Sequence, residues 1–305
     1  MTYNSANDLP ECLISIQNLK VKSQNLKIFV VDNNSQDESV KVAKEFSAKG
    51  GPAAGWNIEV IKNRQNLGFS GGNNVGIKKA LKEGTDFILL LNPDTKVDEN
   101  LISELLSVAK TDGKIGILAP KIYFYSGFEF HKNRYKKEEL GKVIWYAGGK
   151  IDWKNILASH RGVDEVDNGQ YDKSTETEFA TGAAMMIKRE VFEKVGFFDE
   201  KFFLYLEDLD FCTRAKEAGF KIIYVPTALV WHKWARSAGG GSKLQDYYFT
   251  RNRLLFGLKY AGFRAKAALF RQAFLFLVGR EKIKRRAVFD FLRANFGRAS
   301  IQLIN

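Results

Sequence analysis

The chain has 305 residues, 45% hydrophobic and 27% charged, enough apolar material for one large α/β domain with an appendage or for two domains. Its net charge of +12 is uneven: from Lys233 onward 16 Lys and Arg stand against Asp246, Glu281 and Asp290, so the preceding part is close to neutral. Two distant cysteines, Cys12 and Cys212, exclude a disulfide framework and fit a reducing compartment, while no signal-peptide pattern opens the chain and no uncharged apolar run approaches the roughly 20 residues of a spanning helix.

The first 125 residues alternate strand and helix signals. "LKIFVVDN" (26–33) is a short run rich in β-branched and aromatic residues, and Ser35 with Asp37 and Glu38 predicts a helix start carrying acids in its first turn. "WNIEVIKN" (56–63) alternates as a strand, and "GGNNVGIKKALKEG" (71–84) reads as a Gly-rich turn followed by a helix closed by Gly84. "DFILLLN" is a strand, "DENLISELLSVAK" (98–110) a helix and "GILAPKIY" (116–123) a strand. This alternation predicts an α/β fold with a mainly parallel, Rossmann-like sheet covered by helices. From Ser126 to Glu178 the chain is polar and aperiodic, expected as loops with one hairpin around "WYAGGKIDW" (145–153). Strand, helix and turn resume over 179–203, a helix follows over 207–220 and a strand over 221–226. After the Gly-rich stretch 237–243, Phe, Leu, Arg and Lys intermix on a mostly helical background.

In an open parallel sheet, ligands bind at the carboxyl ends of the strands. Three polar loops fall there. "NPD" follows "FILLL": Pro93 cannot continue a ladder, so it turns the chain and presents Asp94, which serves equally as a ligand-binding carboxylate or as a plain turn residue. In "VVDNNS" (30–35), Asp32 could accept from a pyrimidine N–H, or it and Asn34 could merely shape a turn. "NLGFSGGNN" (66–74) offers bare backbone ahead of a helix, suited to a diphosphate, although it is not the G-x-G-x-x-G fingerprint. Further along, Glu207 and Asp208 open a helix, where acids also offset the dipole, and Asp210 and Arg214 are spaced as a structural pair. His232 beside Trp231 is a packed histidine or a metal ligand.

Taken in order, "TYNS" (2–5), "VVDNNS", "NLGFSGGNN", "LLLNPDT", "ATGAAMMIKREVFEKVGFFDEKFF", "YLEDLDF" and "VWH" resemble the inverting family 2 glycosyltransferases, nearest their rhamnosyltransferase-like branch. The resemblance covers about residues 1 to 260. It implies a GT-A catalytic domain over 1–235, with a nucleotide-binding half to about 125 and an acceptor half over 126–235, and a helical extension over 236–305. It implies transfer of a sugar, plausibly a rhamnose-like hexose, from a nucleotide diphosphate to an acceptor hydroxyl with inversion, in cell-surface polysaccharide synthesis on a lipid carrier. Matched to the family's motifs, Tyr3, Asp32 and Asn34 would surround the base and Asn66, Gly68 and Gly72 lie near the donor, with Thr2, Asn4, Phe69, Asn73 and Asn92 also binding the nucleotide sugar. Asp94 would bind Mg²⁺ or Mn²⁺ and His232 complete that site. Asp208 would be the catalytic base, with Glu207 supporting it or reading the acceptor.

Two features depart from the family pattern. Asn92 replaces the first acid of the metal motif, and an apolar strand normally precedes "TYN", so either the start is a truncated or misassigned one or residues 1–4 form a stunted strand beside a gap. The basic, aromatic tail over 247–298 fits an anionic membrane surface, which would put the protein at the inner face of the cell membrane; a helical cap with its charges in water is the plainer reading, and nucleic acid the least favoured, since no recognised module is present. The rival to an active transferase is a non-catalytic homologue acting as a membrane-surface scaffold. A nucleotidyltransferase would want a G-x-G-T-R-x loop, which is absent.

Overall fold

The computed structural model describes residues 1–21, 26–49, 57–234 and 242–299. Trp56, the expected boundary at 235/236 and most of the Gly-rich stretch after it lie outside them. In chain order the elements are α1 (Leu9–Gln17), β1 (Lys27–Asp32), α2 (Ser39–Lys49), β2 (Asn57–Lys62), α3 (Gly68–Lys82), β3 (Phe87–Leu91), β4 (Thr95–Val97), α4 (Leu101–Ala109), β5 (Ile115–Phe124), β6 (Ile144–Tyr146), β7 (Gly149–Asp152), β8 (Leu157–His160), β9 (Thr175–Glu176), β10 (Ala184–Lys188), α5 (Arg189–Val195), α6 (Glu207–Glu217), β11 (Lys221–His232), α7 (Lys243–Tyr260), α8 (Phe263–Val278) and α9 (Lys282–Leu292).

The apolar runs form the strands expected of them, and β5 and β10, buried at nearly every residue, need no alternation. Their directions correct one expectation. The seven-stranded sheet runs β3-β10-β5-β11-β4, with β6 added to β5 and β9 to β11. Only β5 and β11 pair in parallel there, and the other ladders are antiparallel. β3, β5 and β11 still point the same way, because β10 is inserted against both β3 and β5. The carboxyl ends of those three strands therefore share one edge with the entry to β10. β1 and β2 form a separate parallel pair, and β7 with β8 a hairpin.

Three local expectations shift. α2 starts at Ser39, not Ser35: the Ser35 hydroxyl accepts the Asn4 N–H (2.9 Å), and it is Asp37 Oδ1 that accepts the Ser39 N–H (3.0 Å) at the helix start. α3 begins at Gly68, so Gly71 and Gly72 are helical; a Cβ on Gly76 would meet Val31 at 2.9 Å, so glycine there lets the helix lie against β1. The hairpin expected at 145–153 is β7–β8 over 149–160, because β6 pairs with β5 instead. The same segment, read as loops, also buries Val143, Ile144, Trp145 and Tyr146 in the main core.

That core is built on β5, β10 and β11 between α4 and α6, and it takes in Leu254, Leu255, Phe256, Leu269, Val288 and Phe291 of the last three helices. The expected stunted strand is a single bridge. Thr2 pairs in parallel with Asp32, its N–H reaching Val31 O (2.8 Å) and its carbonyl accepting the Asn33 N–H (2.8 Å). Since Asp32 O faces β2, accepting the Asn63 N–H, alternation turns the N–H groups of Phe29 and Val31 to the opposite edge, where among the described residues only Thr2 pairs with β1. Amide exchange at Phe29 and Val31 is expected to be several-fold faster than at Ile28 and Val30; equal protection, read by NMR, would mean that edge is covered.

Candidate active site

Where β3 ends, the turn Asn92–Pro93–Asp94 is fixed from three sides. The Asn92 N–H donates to Ala183 O at the entry of β10 (2.9 Å), the Thr95 hydroxyl donates to Asn92 O (2.7 Å), and the Lys233 N–H donates to Asp94 O (2.9 Å). Thr95 of β4 pairs with His232 of β11, so the ladder itself places Asp94 beside the imidazole. His232 Nε2 lies 3.3 Å from Asp94 Oδ1, with both residues buried, and neither ring nitrogen is hydrogen-bonded. Trp145 packs edge-on against the ring, 4.6 Å between centroids. The two donor atoms are about as far apart as neighbouring corners of the octahedron around Mg²⁺. The Asp94 carboxylate suits Mg²⁺ or Mn²⁺, and an imidazole nitrogen favours the transition metal Mn²⁺ of the two. Among the described residues no group of three or more His, Cys, Asp and Glu could hold a metal, so further ligand positions would fall to phosphate oxygens or water.

Asp32 ends β1 fully buried. Its Oδ2 accepts the Ser35 N–H (3.1 Å), while Oδ1 has no partner, nor has the buried Thr2 hydroxyl next to it. Asn34 takes a left-handed backbone (φ 66°), as does Asn4 (φ 51°), whose side-chain oxygen accepts the Gln36 N–H (2.8 Å). Tyr3 stays partly exposed. Sequence reasoning passed over Asn33, which ties these loops together. Its Nδ2 donates to Asn66 Oδ1 and Gly68 O (both 2.9 Å), and its Oδ1 accepts from Asn63 Nδ2 (3.1 Å) and the Leu67 N–H (3.0 Å). Asn33 could have been told from Asn34 by alternation, which puts residue 33 on the same face as Val31, the face against which Gly76 of α3 lies.

Asn66 Oδ1 also accepts the Gly68 N–H (2.8 Å), and Asn73 Nδ2 returns to Phe69 O (2.9 Å), so these side chains shape the donor loop. Gly68 is held at φ 73°, and a Cβ there would stand 2.3 Å from Phe203 O. Gly72 faces Asn33, and Phe69 packs where a side chain on Gly182 would be.

Asp208 Oδ2 accepts the Gly182 N–H (3.0 Å), in the loop entering β10, and its Oδ1 accepts the Leu209 N–H (2.9 Å). The acid helix is thereby moored beside the end of β3. Glu207 is buried and its Oε2 has no hydrogen-bond partner, whereas Asp208 keeps some exposure. Burial, then the neighbouring Asp208, push Glu207 well above the ordinary carboxylate range. Burial raises Asp208 too, with the Gly182 and Leu209 N–H groups holding it back. Both carboxyls are thus shifted toward their protonated forms, Glu207 the more strongly because it lacks the N–H donors that stabilise the Asp208 carboxylate.

A sequence profile described as glycosyl transferase family 2 matches residues 1–196, well over half of the chain. The chain belongs to glycosyl transferase family 2. This family 2 chain is similar to the low-salt glycan biosynthesis hexosyltransferase Agl10 of Haloferax volcanii, 27% identical over 68% of this chain but only 59% of that protein's length. It is 23% identical to the N-acetylglucosaminyl-diphospho-decaprenol L-rhamnosyltransferase of Mycobacterium tuberculosis, over 78% of this chain and 76% of that one. The dTDP-rhamnosyl transferase RfbF of Shigella flexneri is 24% identical over 84% and 77%. The family 2 chain therefore stands in the rhamnosyltransferase-like branch. Among solved structures, GalNAc-T7 with UDP, GalNAc and Mn²⁺ superposes with a TM-score of 0.58 at 18% identity, covering 87% of this chain and 51% of that one. S. aureus TarS in complex with UDP-GlcNAc gives 0.58 at 16% identity, covering 96% and 79%. The fold is GT-A.

The buried acids give the family 2 site a pH signature. A carboxyl group whose value rises on folding contributes stability that is complete below the ordinary carboxylate range and lost as pH rises through the raised value. At pH 8 an ionised, buried Glu207 would be a cost. Glu207→Gln is expected to raise the melting temperature by roughly 2 °C at pH 8 and to leave it unchanged near pH 4. A variant that melts below the parent at pH 8 would count against the raised value.

Proposed function

We propose that the chain is an inverting glycosyltransferase that moves a sugar from a nucleotide diphosphate to the hydroxyl of a lipid-linked glycan. The observation that carries this is the convergence, at one sheet edge, of the Asp94–His232 pair with an acid helix moored to the β10 entry loop through Asp208. The names of the rhamnosyl- and hexosyltransferase relatives support a rhamnose-like hexose as the sugar and glycan assembly as the setting.

Asp32, with its open Oδ1, and the backbone around Thr2 receive the base, and the Gly68–Gly72 turn of α3 lies against the diphosphate. Asp208 takes the acceptor's proton as the acceptor oxygen bonds to the anomeric carbon; the bond from that carbon to the phosphate oxygen breaks, and its electron pair leaves on the nucleoside diphosphate. Attack from the face opposite the leaving group inverts the centre. Glu207, shifted toward its protonated form by burial, supports Asp208 or reads the acceptor. Asp94 and His232 would hold Mg²⁺ or Mn²⁺, which when bound offsets the charge gained by the diphosphate.

The helical extension supports a place at an anionic membrane surface. Among the described residues no helix is long and apolar enough to cross a membrane. On α8, however, Phe263, Ala267, Phe270, Phe274 and Val278 are exposed at i, i+4, i+7, i+11 and i+15, one stripe along the helix, flanked by exposed Arg264 and Arg271. Apolar side chains on one face with basic ones beside them suit a surface of anionic lipid and give nucleic acid no base-reading element.

UDP or dTDP with Mn²⁺ is expected to raise the melting temperature, an effect absent in Asp94→Ala, and slow donor hydrolysis should fall at least a hundredfold in Asp208→Asn. No nucleotide shift in the parent chain would remove the donor reading. Separately, Phe274→Asp with Val278→Asp is expected to abolish co-sedimentation with vesicles containing phosphatidylglycerol while leaving nucleotide binding intact; vesicle binding equal to the parent's would remove α8 as the lipid contact.

A further inference from the structure

The helical extension reaches the active site from behind. We propose that Arg251 and Asn252 of α7 are positioning residues for the acid pair: they hold the loop 201–206 in the one conformation that delivers Glu207 and Asp208 to the sheet edge and supports the N-terminus of α3. The inference rests on the catalytic reading of Asp208 for its kinetic consequence, but not for its structural one.

The loop has no regular ladder of its own. Phe203 (φ 62°), Tyr205 (φ 71°) and Leu206 (φ 69°) are all left-handed, a conformation costly for aromatic and branched side chains and one that persists only when surroundings enforce it. Leu206 is the residue immediately before Glu207, so any relaxation of the loop rotates the first turn of α6. The left-handed turns also aim successive carbonyls inward, where each needs a donor.

Asn252 and Arg251 supply those donors, and both are fully buried. Asn252 Nδ2 lies 2.8 Å from each of Phe202 O, Leu204 O and Tyr205 O. Its Oδ1 accepts from Arg251 Nε (3.1 Å), which fixes the amide with its nitrogen toward the loop. Arg251 donates to Lys201 O (3.0 Å) and Phe202 O (3.1 Å) through one nitrogen and to Gly297 O (2.8 Å) through the other. Its guanidinium also stands 4.9 Å from the Tyr248 ring centroid, and Tyr248 stacks on Phe203. Phe249 stacks on Tyr205 in the same way. At the far end of α7, Tyr260 donates to Asp210 Oδ1 (2.8 Å) and Lys259 pairs with Asp210 and Asp199, so the helix grips α6 as well as the loop before it.

On its other side, Phe203 O accepts the N–H of Phe69 (2.6 Å) and of Ser70 (3.4 Å), two of the groups a helix N-terminus leaves unpaired. One loop thus joins the acceptor-side acids to the donor-side turn, and Asn252 is the shared support of both. An aspartate there would set a carboxylate against three carbonyl oxygens; an alanine would take the Asn252 donor from Leu204 O and Tyr205 O, leaving Phe202 O to Arg251 alone.

The test compares Asn252→Ala with Arg253→Ala in the full chain. Arg253 neighbours Asn252 on α7 but donates to Asn155 O, Ile156 O and Gln272, away from the loop, so its loss loosens the same helix without touching 201–206. Hydrogen exchange read by mass spectrometry is expected to show faster exchange in Asn252→Ala at Phe69–Ser70 and at Gly182, the donors to Phe203 O and Asp208, with those peptides unchanged in Arg253→Ala. In donor hydrolysis, Asn252→Ala should lose at least tenfold in kcat while its affinity for UDP or dTDP stays within threefold; Arg253→Ala should keep both. Parental exchange at those peptides in Asn252→Ala, or loss of protection equal in the two variants, overturns the proposal whether or not the chain hydrolyses any donor. If the parent hydrolyses nothing yet the exchange pattern appears, the catalytic reading fails and the positioning stands. Should Asn252→Ala not fold, Asn252→Ser, which keeps one donor, is read by the same exchange.

Discussion

Phe203 O is the atom on which the two halves of the site depend. Helices and sheets satisfy their own backbone polar groups, but a buried loop with three left-handed residues cannot, and its carbonyls must be met from outside. Here the donors come from two places far apart in sequence: the start of α3, which meets Phe203, and Arg251 with Asn252 of α7, which meet its neighbours. Gly68 has to be glycine for the first of these to approach, since a Cβ would collide with that same carbonyl. The donor turn, the acid pair and the helical extension are therefore one mechanical unit, although a reading by composition separates the extension from the rest.

How much of this the sequence made legible depends on whether the signal was local. "FILLL" announces a buried strand because five apolar residues with no alternation fit little else, and the polar turn after it is visible for the same reason. Strand direction leaves no such mark. Nothing in "AMMIK" says that β10 runs antiparallel between β3 and β5, because the apolar pattern of a doubly buried strand reads the same either way. The glycines at 71 and 72 suggested a turn, whereas the structure uses them inside α3, where a Cβ on Gly72 would crowd Asn33. The middle segment looked like loop because its apolar residues are few and unspaced, yet Trp145 and Tyr146 are buried by pairing at long range with β5.

The extension shows the limit most clearly. Tyr247, Tyr248, Arg251, Asn252, Leu254 and Leu255 occupy one buried stripe of α7 at spacings of 1, 4, 5, 7 and 8. A charge and an amide set among apolar positions of such a stripe is a readable sign of a polar network in the interior, because neither is buried without partners. Counting basic residues hid that sign by treating Arg251 as one more charge on a surface. The arginines that do face solvent, such as Arg264 and Arg271, lie on α8, and the two populations have different physical work to do.

The treatment of buried polar atoms separates scaffold from site more sharply than any motif. Away from the sheet edge the chain pairs them thoroughly: Lys121 meets both Asp167 and Asp172, and Asp210 meets Arg214, Lys259 and Tyr260. At the edge it does not. Thr2 Oγ1, Asp32 Oδ1, Ser70 Oγ, Glu207 Oε2 and both ring nitrogens of His232 are buried without a hydrogen bond. Leaving one such group unmet costs about 1–3 kcal/mol, so a fold able to satisfy Lys121 and Asp210 has no reason of stability to gather these on one side. Gln17 of α1 shares the condition, and nothing in the structure explains it. For the rest, the open atoms match what the proposed nucleotide-sugar site would need: an acceptor for a base N–H at Asp32, an open hydroxyl in the first turn of α3 at Ser70 and a metal-competent imidazole at His232. In the proposed reaction, Glu207 and Asp208 would take the place where a proton leaves the acceptor.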